Sequence, residues 1–203
     1  STHHADIQID GPIPFQTAED IMESIDILKD SQSKINIRLL EEKLMELNGV
    51  ARAEVFSDLR DQLFVRIEQV VPLLRLFDTD TSYYLCREGT GVALSPYHTA
   101  KVPVVSGKNL SGMHKALHQL FLLIREDEVL KSGIDAAWID EDGELTLYSA
   151  WGCDHVIRFG TMEDGKEKLD KLKVFYKEIV STGRRTAFDQ LDLRFEGQVV
   201  MKK

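Results

Sequence analysis

Residues 63 to 68, LFVRIE, require a strand with two unlike faces. Leu63, Val65 and Ile67 fall on one side, and Phe64, Arg66 and Glu68 on the other. Wound into a helix, the same residues would scatter the apolar set around the axis. The run therefore predicts a half-buried sheet that needs an apolar cover on one face. The cover stands just upstream, where Ile37, Leu40, Leu44 and Leu47 recur at i, i+3, i+7 and i+10. Asn36 is placed to cap that helix and Asn48-Gly49 to end it.

Val50–Phe56 reads as a strand and Ser57–Asp61 as the turn into the next one. Further upstream, Ala5–Asp10 reads as a first strand closed by the GPIP turn at Gly11–Pro14. Thr17 with Asp20 forms a box-like helix start, followed by Ile21 and Ile25 on one face. Pro72 has no N–H to give a ladder and marks a boundary. The expected first unit, residues 5–73, thus runs strand, helix, helix, strand, strand, with both helices on one face of a small sheet.

The remainder, residues 74–203, reads as an antiparallel sheet backed by helices, so the chain as a whole is α+β. Leu73–Phe77 and Ser82–Cys86 are short strands, and Pro96 and Pro103 lie in irregular chain. One long helix is expected over Leu110–Lys131, burying Leu117, Leu120, Phe121 and Ile124. Strands Asp135–Ile139 and Glu144–Ala150 flank the Asp142-Gly143 turn, a good hairpin signal. Asp154–Phe159 follows, then a helix at Thr161–Val180 that buries Leu169, Leu172, Tyr176 and Ile179. Gln190–Phe195 and Gln198–Met201 close the chain around Glu196-Gly197.

The 203 residues suffice for one full core or two small ones. A net charge of -9 opposes a role devoted to nucleic acid, which needs a basic field. The apolar run Leu120–Ile124 is far below the roughly 20 residues of a membrane helix, and the opening STHHADIQID has no signal-peptide pattern.

Candidate chemistry does not assemble. His114 and His118 share a helix face, but HKALH lacks the glutamate of a zinc peptidase. Cys153 and His155 would stand side by side on a strand without an oxyanion site. Asp140, Glu141 and Asp142 lack the spacing of a calcium loop. The lysine and aromatic mixture LKVFYKEIV is already explained by burial. Trp138 and Trp151 read as core or sheet-face residues, with an interface anchor as the second reading. Cys86 and Cys153 are expected as free thiols. No catalytic residue, cofactor or metal ligand is assigned, and the chain is not expected to be an enzyme. What remains is the last strand, Leu191–Met201, either an ordinary paired strand or an edge open to another chain.

The stretch from Leu44 onward resembles the POTRA domain of the bacterial cell-division family FtsQ/DivIB. The resemblance rests on Leu44, Leu47, Val50, Ala53, Glu54 and Val55, then Leu63, Val65, Ile67, Gln69 and Pro72. It continues through Tyr83-Tyr84-Leu85, Gly89, Leu94, Ser95, Tyr97 and Val102–Gly107. At the far end it takes in Ile157-Arg158-Phe159-Gly160, Lys168–Tyr176, Leu191–Phe195 and Gln198-Val199-Val200, where it is similar to Bacteroidetes-type members. Val70, Cys86 and Asn48-Gly49 depart from the common pattern.

That resemblance implies a non-catalytic divisome scaffold: a POTRA domain at 5–73 and a β domain at 74–203. It implies a periplasmic region at the division septum, held to the inner membrane by a single N-terminal helix that precedes the residues present here. The implied partners are FtsB-like and FtsL-like proteins and other divisome components, with no nucleic acid. Docking is expected at Leu191, Leu193, Phe195, Gln198, Val199, Val200 and Met201, by addition of a partner strand. The alternatives are a POTRA-type module of outer-membrane assembly or secretion, which would show tandem units or a barrel, and an enzyme with an unrecognised site.

Overall fold

Local signals build the first unit in the expected order. In the computed structural model, which describes residues 5–31, 35–60, 62–151, 155–182 and 188–203, it comprises β1 (Asp6–Asp10), α1 (Ala18–Ser31), α2 (Ile37–Met45), β2 (Val50–Ser57) and β3 (Leu63–Gln69). Thr17 and Asp20 cap α1 reciprocally. The Thr17 N–H donates to Asp20 Oδ2 at 2.7 Å, and the Asp20 N–H donates to Thr17 Oγ1 at 3.2 Å. Asn36 Oδ1 caps α2 by accepting from the Leu39 N–H.

The sheet order is β1-β3-β2, with β1 parallel and β2 antiparallel to β3. Ile21, Ile25, Leu40 and Leu44 pack on Leu63, Val65 and Ile67, all buried. Each such side chain stabilises the fold by roughly 1.5–3 kcal/mol relative to exposure. Between α2 and β2, Gly49 has φ +80°, and a Cβ there would lie 2.1 Å from the Phe15 ring. Only glycine meets both conditions.

By its contacts the chain divides at Val71/Pro72, and residues 92–100 belong with the first unit. Ser95 Oγ donates to the Pro14 carbonyl. Tyr97 Oη donates to Asp20 Oδ2 at 2.7 Å.

The second unit adds β4 (Pro72–Asp78), β5 (Thr81–Cys86), β6 (Gly91–Ala93, straddling the division), β7 (Val104–Gly107), a 3₁₀ turn (Leu110–Met113), α3 (His114–Glu126) and α4 (Glu128–Gly133). It continues with β8 (Ile134–Ile139), β9 (Leu145–Ser149), β10 (Val156–Gly160), α5 (Gly165–Thr182), β11 (Gln190–Asp192) and β12 (Val200–Lys202). The sheet order is β12-β11-β10-β9-β8-β7-β4-β5-β6. Leu117, Leu120, Phe121, Leu169 and Leu172 pack on Leu74, Leu76, Val105, Leu147, Ile157 and Leu191 to form one core. Pro72 sits at the first position of β4, where its missing N–H is tolerated.

Three features differ from expectation in detail. The sheet is mixed: β4–β7, β7–β8 and β10–β11 pair in parallel. The single helix over 110–131 is divided at Asp127, whose backbone is extended and whose carboxylate accepts from the N–H groups of Val129 and Leu130. The final strands are three residues each, because the chain leaves the ladder after Asp192. Cys153 and Asp154 lie outside the described residues.

Candidate functional site

The last 14 residues form a short, heavily tied hairpin. Leu191 and Leu193 are fully buried and anchor it in the core. The Leu193 N–H donates to the Arg158 carbonyl at 2.9 Å. Lys171 of α5 donates its ammonium to the Phe195 carbonyl at 2.9 Å. Gly197, with φ +65°, makes the turn. The returning strand β12 pairs antiparallel with β11, Leu191 opposite Met201.

One buried carboxylate holds the hairpin together. Asp192 is fully buried, and its oxygens accept from Arg194 Nε at 2.9 Å, Arg194 Nη2 at 2.8 Å and Lys202 Nζ at 3.3 Å. The Arg194 guanidinium is the main reason the Asp192 pKa falls to about 2, against the opposing cost of burial. Gly160 lets Arg194 lie across it, since a Cβ would stand 2.8 Å from the Arg194 Cγ. The cluster ties both arms of the hairpin to one buried atom pair. Sequence reading missed it, because its members stand two and ten residues from Asp192 and meet only in the folded hairpin.

β12 ends the sheet order, with a partner strand on one side only among the described residues. The Asp189 N–H donates to the Lys202 carbonyl at 2.9 Å, so Lys202 turns its backbone toward β11. Strand alternation then turns the N–H and C=O of Met201 to the open side. Of the expected docking residues, Phe195, Gln198 and Met201 expose their side chains, while Val199 and Val200 are half-buried. Leu191 and Leu193 present none. Beside the hairpin, Val174 and Phe175 of α5 and Val199 line a shallow apolar groove rimmed by Asp170, Lys171 and Glu178.

The side chains considered for catalysis have structural engagements. His114 Nε2 shares a 2.8 Å hydrogen bond with Tyr83 Oη, and His118 Nε2 one of 2.7 Å with the Arg87 carbonyl. Burial and then the neighbouring Glu88 push the Cys86 thiol up to about 12, so it stays protonated. His155 is buried against Phe188 with its ring bonded to Tyr176 Oη, and burial lowers its pKa. Among the described residues, no three His, Cys, Asp or Glu side chains gather where a metal ion would fit. None of the described helices is long and apolar enough to cross a membrane.

Comparison with known families adds one finding. The family model described as FtsQ/DivIB, C-terminal related, matches residues 71–202. A search of curated proteins finds no match.

Proposed function

This chain belongs to the FtsQ/DivIB, C-terminal related family, and from that premise we propose that it is the extracytoplasmic part of a division scaffold. In this reading it is non-catalytic and works at the septum, tethered to the inner membrane. Its first unit is a POTRA domain and its second the β domain. FtsB-like and FtsL-like proteins dock on the second unit by adding a strand to β12.

The observation that carries the proposal is that β12, at the end of the sheet order, pairs on one side only among the described residues. An edge strand offers main-chain donors and acceptors at fixed spacing to any extended segment. The Asp192 cluster supports the reading, because a three-residue strand needs bracing before it serves as a template. Side-chain selectivity would come from Phe195, Gln198 and Met201, and from the groove at Val174 and Val199. Leu191 and Leu193 contribute by holding the strand in place.

Titration calorimetry with the extracytoplasmic parts of the FtsB-like and FtsL-like partners tests the proposal. The native chain should bind saturably. Met201→Pro removes an N–H on the open side, a position where an edge strand tolerates proline. That variant should keep its circular dichroism spectrum and lose affinity by about tenfold or more. Equal affinity in Met201→Pro, or no binding by the native chain, would sink strand addition at β12.

A further inference from the structure

The sheet face opposite the helices carries an exposed aromatic patch on β8, β7 and β4, the fifth to seventh strands counted from β12. Cross-strand register places Phe77, Ser106 and Trp138 in one row on β4, β7 and β8, and Arg75, Val104 and Ala136 in the next. Phe77 is 46% exposed, Val104 41% and Trp138 43%. Large apolar side chains aligned this way on an uncovered face mark a contact surface. Two strand spacings separate Phe77 from Trp138, about 10 Å, and Ser106 between them is too small to fill the gap. The row forms a notch with an aromatic wall on each side.

The parallel run of β4, β7 and β8 brings their three carboxyl ends to this notch. Chain leaves these ends in different directions, into two hairpins and the 3₁₀ turn, opening a cleft of about 710 Å³. The walls are fixed. Asp78 accepts from the N–H groups of Asn109 and Leu110, both at 2.9 Å, and Lys108 pairs with Glu141 at 2.8 Å. Asp140, Glu141 and Asp142 stand along the rim, and Lys108 is the one cation among the lining residues. Asp140 uses Oδ1 to hold its turn, accepting from Asp142 and Glu144. The Asp142 side chain has no partner among the described residues.

We propose that this notch docks an extended basic segment of another protein, with an arginine or lysine side chain held between Phe77 and Trp138 against the acidic rim. Aromatic faces attract a cation through their quadrupole, and the adjacent carboxylates complement it. Charge selects this occupant over others. A second copy would bring three more rim acids against the first three, in a chain of net charge -9. An anionic lipid surface would be repelled by the same carboxylates. The site is separate from β12, and its failure leaves the strand-addition reading untouched.

Fluorescence anisotropy with a labelled Gly-Ala-Arg-Ala-Arg-Ala-Gly peptide and its glutamate counterpart tests this. The arginine peptide should bind the native chain and the glutamate peptide should not. Trp138→Ala should weaken binding by about fivefold to tenfold, with near-ultraviolet dichroism reporting an intact fold. Asp142→Lys, on an exposed turn, should weaken it about threefold, and salt should do the same. Phe195→Ser, in the hairpin between β11 and β12, should leave it unchanged. The proposal is overturned by equal affinity in Trp138→Ala, by preference for the glutamate peptide, or by Trp138-dependent binding to phosphatidylserine vesicles. Sedimentation showing a dimer that Trp138→Ala dissociates would also overturn it, in favour of self-association.

Discussion

Asp192 shows how one residue can set the geometry of an edge. Its carboxylate is fully buried, while Arg194 and Lys202 reach it with their outer surfaces about half exposed. Removing the carboxylate leaves two cations that turn to water, so the cost is the lost charge-assisted bonds and not a stranded charge. Asp192→Ala should lower stability by about 2 kcal/mol at pH 7 in urea titration. The sign of the pH dependence follows from the lowered pKa. The native carboxylate holds its charge to about pH 2, whereas in the unfolded chain it protonates near 4. Its stabilisation is therefore full above about pH 4 and is lost as pH falls through 2. The gap between native and variant should narrow over that range, and a gap independent of pH would refute the ion-pair account. In the sequence, Asp192 is one of several charged residues that alternate with Leu191, Leu193 and Phe195. Nothing in its spacing announced that Arg194 and Lys202 would converge on it, because the convergence is made by the turn at Gly197.

At the scale of elements, short-range patterns were legible and chain crossings were not. Asn36, Thr17 with Asp20, and the alternation of Leu63, Val65 and Ile67 all act as their local chemistry requires. β7 escaped because Val104 and Val105 stand between Pro103 and Gly107, too short a run to show a period. Yet β7 lies between β4 and β8, so two of the three parallel pairings pass through it, and the third joins β10 to β11. The helix over 110–131 looks continuous because Leu117, Leu120, Phe121 and Ile124 keep a helical spacing and no glycine or proline stands between Met113 and Lys131. Asp127 interrupts it by capping α4 and pairing with Lys173 of α5 at 2.8 Å, where both side chains are more than two-thirds buried. Asp127→Ala removes the cap and the tie together. It should cost about 1–2 kcal/mol in urea denaturation. Lys173→Ala should cost less, since the cap remains. Equal losses would show that the ion pair, and not the cap, holds the break.

Across the whole molecule, the chain path carries the consequence that sequence reading left out. The described residues up to Val71 build the first unit, 72–91 begin the second, and 92–100 return to the first before the chain completes the second sheet. The expected boundary near residue 73 treats the units as successive. The return segment makes the first unit discontinuous, and its residues look like irregular chain because their partners are 45 to 81 positions away. Ser95 is its pivot. The hydroxyl donates to the Pro14 carbonyl and accepts from the N–H groups of Tyr97 and His98, which aims Tyr97 at the α1 capping box. Asp20 thereby serves the cap and the return segment at once. The Tyr97 bond, together with the Thr17 N–H, holds the Asp20 pKa below its ordinary value. A fragment ending at Val71 keeps every strand and helix of the first unit but loses this clasp. It should exchange the amide hydrogens of residues 13–21 faster than the full chain does, with the β2–β3 ladder much less affected. The double variant Ser95→Ala, Tyr97→Phe should reproduce that local change in the full chain without shortening it. If the fragment and the variant both match the native exchange, the return segment only rests on the first unit. Faster exchange confined to 13–21 in both would make residues 92–100 a working part of it, and any fragment meant to isolate the first unit would have to carry them.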